Sequence, residues 1–512
     1  MGATLTTLMG TGCAPASPAS EATGGEASPA GVDPASIIET VECDIVVAGS
    51  GTAGTFAAVR AAELGATVLW LERLAERGGT STYTEGIGVI DSQLMKNAQK
   101  DPRKDELFHK FMDSQNWAVS AEILDTYIDG NGPAIDWALG HGAQLAYMPL
   151  SDDTYWGGVC FDDQGKFLHM GEGLLSCLWT AGDALPNLEL RMSTRLVGLI
   201  HEDGKVVGAY AETDGGVIEV RAKAVMLATG GFCGNEEMAS DLANVRAGEV
   251  TFFGLEGREG DGIKAALQIG AQLHAKEALM YTFGCIKGTT SFDDIVNATF
   301  AWNPLVAINQ DGRRFANEGF CATSNTANRS LAIRQQKAAW CIADQAHVQA
   351  YLDMGQLDYV TGVTQGDLAA SLESLPAICK ADTLEELALL IGVDADALVA
   401  SVEAYNAIAD GAEDVRFGLD PELAIPVKKA PFYAAQLVAS AYSTEGGLLT
   451  NASMQVLDAN GEPIEGLYAL GNDNGSIIGT NYPMHVLGGT AQGWAATGGY
   501  LAAHHATQTP LP

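Results

Sequence analysis

The chain has 512 residues, 28 Lys and Arg against 64 Asp and Glu, and a formal charge of −36. That length suits two or three domains, or one large fold with an insertion, and the 47% apolar fraction can build a core. The acidity argues against nucleic acid and anionic membrane surfaces, which need clustered cations, while 60 glycines, about 12% against an ordinary ~7%, point to tight turns and close backbone approaches to a ligand. No run of ~18 apolar residues suggests a transmembrane helix. Leu5 to Gly12, followed by Cys13-Ala14-Pro15, reads as the end of an export signal, although Gly10 to Cys13 lacks the Leu of a good lipobox. Residues 13–36, rich in Ala, Ser, Pro and Gly, read as a flexible tether. We therefore expect 1–39 to be a signal remnant and tether and the protein to be exported, to the periplasm or cell surface. A merely disordered N-terminus is the alternative.

Asp44 to Ala48 is a short apolar run of buried parallel-strand type, and Gly49-Ser50-Gly51-Thr52-Ala53-Gly54 follows at once. A helical pattern then places Phe56, Val59, Ala62 and Leu64 on one face, and Ala66 to Leu71 is a second strand ending at Glu72. Glycines alone are weak evidence, but strand, Gly-x-Gly-x-x-Gly, helix, strand and acid together indicate a dinucleotide site. Gly49 permits the turn, Gly51 lets a pyrophosphate approach the backbone, and Gly54 lets the helix pack on the sheet. Thr52 and Ala53 open the helix, whose amides and dipole favour phosphate, and Glu72 is placed for ribose hydroxyls. Further turns follow at Gly78-Gly79-Thr80-Ser81, at Thr229-Gly230-Gly231 after the strand 224–228, and at Gly471-Asn472-Asp473 after the strand 466–470. Thr383 with Glu386 reads as a capping box before Leu387, and Asp394 starts a second helix to about Ala409. The nine cysteines include no Cys-x-x-Cys, so no zinc, cluster, dithiol or covalent haem signature is present, and isolated cysteines read as small buried hydrophobes.

Together with Glu259-Gly260-Asp261-Gly262, Asn309 to Glu318 and Thr444-Glu445-Gly446-Gly447, these segments resemble the fumarate reductase/3-ketosteroid dehydrogenase group of FAD flavoproteins from about residue 42 to 505. The resemblance implies an α/β chain with a discontinuous Rossmann-like FAD-binding domain of the glutathione-reductase type, residues 40–281 and 443–512, around an inserted α+β capping domain, 282–442. It implies FAD held by Gly49, Gly51, Thr52, Ala53, Gly54, Glu72, Arg73, Gly78, Gly79, Thr80, Ser81, Val197, Thr229, Gly230, Asp261, Gly471, Asn472, Gly488 and Gly489, with no metal. A substrate between cap and flavin would be shielded from water by cap closure.

Reducing an activated double bond needs hydride from flavin N5, a group that draws charge onto the substrate, and a proton donor. Arg329 falls where fumarate reductase-like proteins carry an Arg that donates a proton or clamps substrate. Other positions depart from fumarate reductases. Met280-Tyr281-Thr282-Phe283 and Ser443-Thr444-Glu445 each lack a His, Val486 replaces a carboxylate-binding Arg, and Ala298 and Ala301 replace a proton relay. Losing three charged hydrogen bonds of ~1.5–3 kcal/mol each makes fumarate an improbable substrate. Asn481-Tyr482-Pro483 resembles the Tyr-Pro of ketosteroid dehydrogenases, with three extra residues before the glycines, so Tyr482 is either a substrate contact or a packing aromatic. His485 shares its loop and is a candidate catalytic contact to substrate or flavin, and Tyr281 and Phe283 at the cap entrance suit a flat substrate or serve as packing. His504 and His505 read as solvent-facing. No second dinucleotide motif serves NADH, so electrons should come from an external carrier such as a cytochrome or quinol-linked protein. Residues 340–425, with 16 acids and 2 bases, either steer a cationic carrier or form an ordinary solvated surface. The expected function is an FAD-dependent ene-reductase of anaerobic respiration. A ketosteroid-type dehydrogenase and a non-catalytic flavin electron-transfer protein are the alternatives.

Overall fold

A computed structural model describes residues 32–148, 155–253, 257–322, 326–359 and 362–511. The export segment and Cys13 lie outside these residues. Two sheets organise the rest. The first is centred on β1 (Ile37–Ala48), which leads through α1 (Thr52–Glu63) to β2 (Val68–Leu71). β3 (Leu188–Arg191), β4 (Gly216–Leu227) and β5 (Pro463–Ala469) complete its parallel part. β2 and β4 flank β1 in parallel, pairing Ile45 with Val68 and with Ala224; β3 lies outside β2, and β5 pairs with the end of β4. Ile45, Val46, Val47 and Ala48 are all buried, as a strand covered on both faces requires. The strands Arg195–Glu202 and Lys205–Thr213 run antiparallel beside the first half of β4.

β1 begins at Ile37 rather than Asp44, because residues 37–43 pair with β4 from Val217 onward. The 3-10 turn Pro34–Ser36, capped by the Asp33 carboxylate, precedes it. Residues 34–39 therefore belong to the folded body and not to the tether. At the other end of the chain α2 (Thr490–Ala506) packs on α1 and on the helix Ala121–Gly140. The approach to α1 is close enough that a Cβ on Gly499 would lie 2.4 Å from the Ala53 carbonyl.

The second sheet is built on the long strand Phe432–Thr444. It takes in Cys285–Ile286, Ala307–Asn309, Ala339–Asp344 and Ile378–Ala381, and also Val250–Phe252 and Leu279–Tyr281. The last two strands lie before residue 282, so the expected boundary at 281/282 cuts through this sheet. Ile342, Leu387, Leu398, Val402 and Tyr405 form a core between it and the helices Leu384–Ile391 and Ala395–Ala409. Both helices carry the expected caps, Thr383 accepting from the Glu386 amide and Asp394 from the Ala397 amide. The segment Asn309 to Glu318 is a structural clasp: Arg314 pairs with Glu318 at 2.6 Å and Asp414 at 2.8 Å, all three nearly buried. Cys160, Cys233, Cys285, Cys321 and Cys341 are buried, and no disulfide forms among the described residues. Among those residues no helix is long and apolar enough to cross a membrane, and no group of His, Cys, Asp or Glu is arranged for a metal.

Candidate functional site

The glycine loop divides into packing and opening. A Cβ on Gly49, whose φ is +109°, would lie 2.1 Å from the Ala228 carbonyl, and one on Gly54 would lie 1.9 Å from the Gly49 carbonyl. These two let strand, turn and helix interlock. Gly51 differs, since its Cβ would meet nothing closer than Ser81 Oγ at 3.2 Å. It caps α1 without a side-chain hydrogen bond, so most of the amides that open α1 face the space between this loop and residues 78–81. Ser81 Oγ accepts from the Thr52 amide at 3.1 Å, while Thr80 Oγ1 is buried without a partner. A backbone cradle and an orphaned hydroxyl at a helix N-terminus fit a bound pyrophosphate.

Glu72 is 6% exposed and accepts from the Ser50 amide at 2.9 Å, from the Ser50 hydroxyl, and from the Leu74 amide at 2.8 Å. Ser50 in turn accepts from the Gly78 amide at 2.8 Å. A carboxylate has about four acceptor sites, so Glu72 keeps room for roughly one ribose hydroxyl and also ties the two loops together. Glu72→Ala should therefore weaken FAD retention and also cost about 1–3 kcal/mol of stability from stranded amides. Flavin content after gel filtration and the thermal midpoint check this; wild-type occupancy would contradict it.

Arg73 and Arg195 both pair with Asp261, Arg195 through two bonds of 2.9 and 2.6 Å and Arg73 at 3.5 Å. Val197, two residues on, is 36% exposed. Arg73, Val197 and Asp261 are thus brought together, although Asp261 is largely committed to arginine. Thr229 and Gly230 are held by a residue that sequence reasoning did not single out. Asp473, fully buried, accepts from the Thr229 amide at 2.6 Å, the Thr229 hydroxyl and the Gly231 amide at 3.0 Å, and burial pushes its carboxyl up. It joins the 229–231 turn to the loop carrying Gly471 and Asn472. A Cβ on Gly471 would lie 3.1 Å from that of Ala53, so this loop abuts the start of α1. Gly489, at φ +74°, caps α2 and accepts from the Gly88 amide at 2.8 Å, which places Gly488 and Gly489 beside the chain leaving Gly78-Gly79.

Hydrogen bonds and close approaches thus join the loops at 49–54, 72, 78–81, 229–231, 471–473 and 488–489 into one glycine-lined groove wall. The family described as FAD binding domain matches residues 44–486. The chain belongs to that FAD-binding family. Vinyl phenol reductase of Lactiplantibacillus plantarum is 30% identical, covering 91% of this chain and 96% of that protein. Fumarate reductase (cytochrome) of Shewanella frigidimarina is 26% identical over 91% of this chain and 77% of its own. The fold is that of 3-ketosteroid delta1-dehydrogenase from Sterolibacterium denitrificans, with a TM-score of 0.75 at 24% identity, covering 91% of this chain and 99% of that one. This flavoprotein is an FAD-dependent oxidoreductase acting on carbon–carbon bonds.

Phe292 is the hub of an aromatic cluster that includes Tyr442 of the second sheet. Its ring centroid lies 4.7 Å from Trp302, 4.9 Å from Tyr442, 5.8 Å from Phe253 and 6.0 Å from Phe283. Phe283, Phe292, Trp302 and Tyr442 are only half-buried. Tyr281 is not part of the cluster; it packs in the core under Arg334, which donates to its hydroxyl. Arg329 is 2% exposed. It donates to the Asn303 carbonyl, next to Trp302, at 2.9 Å and lies against the Cys321 thiol, while among the described residues its Nε and Nη2 have no oxygen or nitrogen partner. Its helix Thr326–Arg334 is pinned to Phe432–Thr444 through Ser330 and Ser440.

The Tyr482 hydroxyl lies within reach of the amides of Gly489, Thr490 and Ala491, near Glu445, and burial pushes its pKa up. His485, by contrast, is exposed and without a hydrogen bond among the described residues, and partial burial of its ring lowers its pKa. His504 is buried rather than solvent-facing: Arg60 donates to its Nε2 at 3.1 Å and its Nδ1 faces the Thr509 carbonyl at 3.0 Å. His505 meets the Tyr468 hydroxyl at 2.9 Å.

Glu445, 4% exposed, accepts from Ser443 Oγ at 2.6 Å, and burial pushes its pKa from 4.5 up to about 7. A raised carboxyl pKa means that the folded state holds a proton the unfolded state releases. Its contribution to stability is therefore greatest below pH 4.5 and falls as the pH rises to about 7. Glu445→Gln should raise the thermal midpoint at pH 8 and flatten the decline across that window. An unchanged or lower midpoint in melts of the two holoproteins would contradict this.

Proposed function

We propose that this flavoprotein reduces an activated C=C bond conjugated to a carbonyl or carboxylate, with electrons from an external carrier. When bound, FAD supplies the hydride. The observation that carries the reading is Arg329, a buried guanidinium whose one oxygen acceptor among the described residues is the carbonyl of Asn303, the neighbour in sequence of Trp302 in the aromatic cluster. Such donors have a high cost of burial unless a ligand completes them, and a substrate oxygen that gains charge during reduction would do so. The likeness to vinyl phenol reductase along almost the whole of both chains supports the reductive direction. The second sheet, with its helices, caps the groove and excludes water, and its 16 acids against 2 bases over residues 340–425 favour a cationic carrier. Export belongs to the same proposal and rests on residues 5–36.

One observation favours the opposite direction. The Tyr482 hydroxyl beside the Gly489 amide could polarise a saturated ketone, as a ketosteroid-type dehydrogenase requires. Turnover decides between them. With reduced methyl viologen as donor, the proposal expects dye oxidation that depends on an added enone or unsaturated acid. Reduction of an artificial acceptor by saturated ketones, with no ene-dependent dye oxidation, would select the dehydrogenase.

A further inference from the structure

Residues 474–487 connect two turns of the groove wall, Gly471–Asp473 and the glycines at 488–489. The start of this connection is tied down by Asn474, whose Oδ1 accepts from the Ser476 amide at 2.9 Å and whose Nδ2 donates to the Ala469 carbonyl at 3.1 Å. Its end is a turn in which the Pro483 carbonyl accepts from the Val486 and Leu487 amides, both at 2.9 Å. Between these two fixed points, residues 479–481 are held by a single side chain. Gln115 is fully buried. Its Oε1 accepts from the Gly479 amide at 3.0 Å and the Thr480 amide at 3.2 Å. Its Nε2 donates to the Asn481 carbonyl at 2.8 Å and to Ser114 Oγ at 3.2 Å. Both donors and both acceptor sites of the amide are thereby used, and among the described residues no other hydrogen bond holds 479–481.

Gln115 ends the helix Lys104–Ser114. Asn116 and Trp117 follow at φ +51° and +57°, a left-handed pair without glycine, which stores backbone strain. This turn brings the chain back to the same connection. A Cβ on Gly479 would lie 2.7 Å from that of Ala118, and the His274 ring stands between the Ala118 carbonyl at 3.1 Å and the Gly475 carbonyl at 3.0 Å. Tyr482, 7% exposed, comes directly after the three residues that Gln115 holds. We propose that Gln115 is a positioning residue: by fixing 479–481 it holds Tyr482 against the start of α2, where the hydroxyl meets the substrate. The inference rests on the reading of Tyr482 as a substrate contact, in either direction of the reaction, and it adds the residue that sets the position of that contact. An apolar side chain of similar length leaves two amides and a carbonyl without partners, so the connection loosens between its fixed ends.

The test uses holoprotein and the substitutions Gln115→Met and Tyr482→Phe, singly and together. In hydrogen-exchange mass spectrometry, peptides covering 479–481 of Gln115→Met should exchange at least about tenfold faster, with FAD retained. The chemical readout is reoxidation of the dithionite-reduced flavin by benzylideneacetone or, if that enone is not reduced, bleaching of the oxidised flavin by 4-phenylbutan-2-one. Gln115→Met should slow this step by about tenfold in the wild-type background and by less than about twofold when Tyr482 is already Phe, because residues that act through one another are not additive. A merely structural glutamine would slow both backgrounds equally. Should Gln115→Met not fold, Gln115→Glu replaces it; it keeps the acceptor for both amides and loses the donor to Asn481, so a slowing of about fivefold with the same dependence on Tyr482 is expected. Unchanged exchange over 479–481, equal slowing in both backgrounds, or no turnover in either direction would overturn the inference. The two readings fail separately. Tyr482→Phe with wild-type turnover sinks the substrate-contact reading and this inference with it, whereas a slow Tyr482→Phe beside equal slowing in both backgrounds sinks the role of Gln115 alone.

Discussion

Gly51→Val yields a folded protein that does not retain FAD. The Gly51 backbone, at φ −65°, is open to any L-residue, and its Cβ would meet no atom closer than 3.2 Å. The polypeptide therefore tolerates valine. Its two methyls fill the space in front of the α1 amides, where a pyrophosphate must sit. Excluding even one charged hydrogen bond costs about 1.5–3 kcal/mol, and the methyls displace several, so affinity for FAD should fall by at least about ten- to a hundredfold. Gly54→Val is the contrasting case, because a Cβ 1.9 Å from the Gly49 carbonyl breaks the packing of helix on turn. It should not yield soluble protein at all. Circular dichroism with flavin absorbance separates the two, and a yellow Gly51→Val protein would contradict the assignment of this loop.

Arg329→Ala should lose at least about a hundredfold in substrate-driven reoxidation of the flavin, the scale for one preorganised donor to developing charge. The FAD spectrum should be unchanged, because Arg329 sits against Asn303, Cys321 and Cys341 rather than in the glycine groove. Stability provides the discriminating readout. A guanidinium that is 2% exposed, with two nitrogens lacking an oxygen or nitrogen partner among the described residues, stabilises the resting protein little, so removing it should leave the thermal midpoint unchanged or higher. A structural arginine would instead show a lower midpoint with turnover intact. Arg329→Lys, which keeps the charge but loses the fork of donors, should recover only part of the rate.

The parts of this molecule that were legible in the sequence are those whose chemistry is local. Strand, glycines, helix and acid lie within residues 44–72, each constraint acting on near neighbours, so the turn, the helix start and Glu72 could be assigned from order alone. Thr383 and Asp394 were readable for the same reason, since a cap acts three residues away. The sheet boundary was not, because Val250–Phe252 and Leu279–Tyr281 are three-residue strands whose partner lies some 160 to 190 residues later. The aromatic cluster gathers Phe253, Phe283, Phe292, Trp302 and Tyr442 from across the chain, a set without period or spacing. Asp473 lies in a glycine turn, and nothing near it in the chain marks the Thr229 and Gly231 amides, over 240 residues away, that converge on it. His504 is buried where a terminal helix is usually exposed, because it meets Arg60, 444 residues away in the chain.

Anaerobic stopped-flow of the dithionite-reduced holoprotein against enones, cinnamates and other unsaturated acids tests the central claim most directly. The account predicts that at least one such compound reoxidises the flavin in a single-turnover phase, with one saturated product formed per flavin. If none reoxidises the reduced flavin, while a saturated ketone bleaches the oxidised protein, the protein is a dehydrogenase and the reductase assignment is wrong.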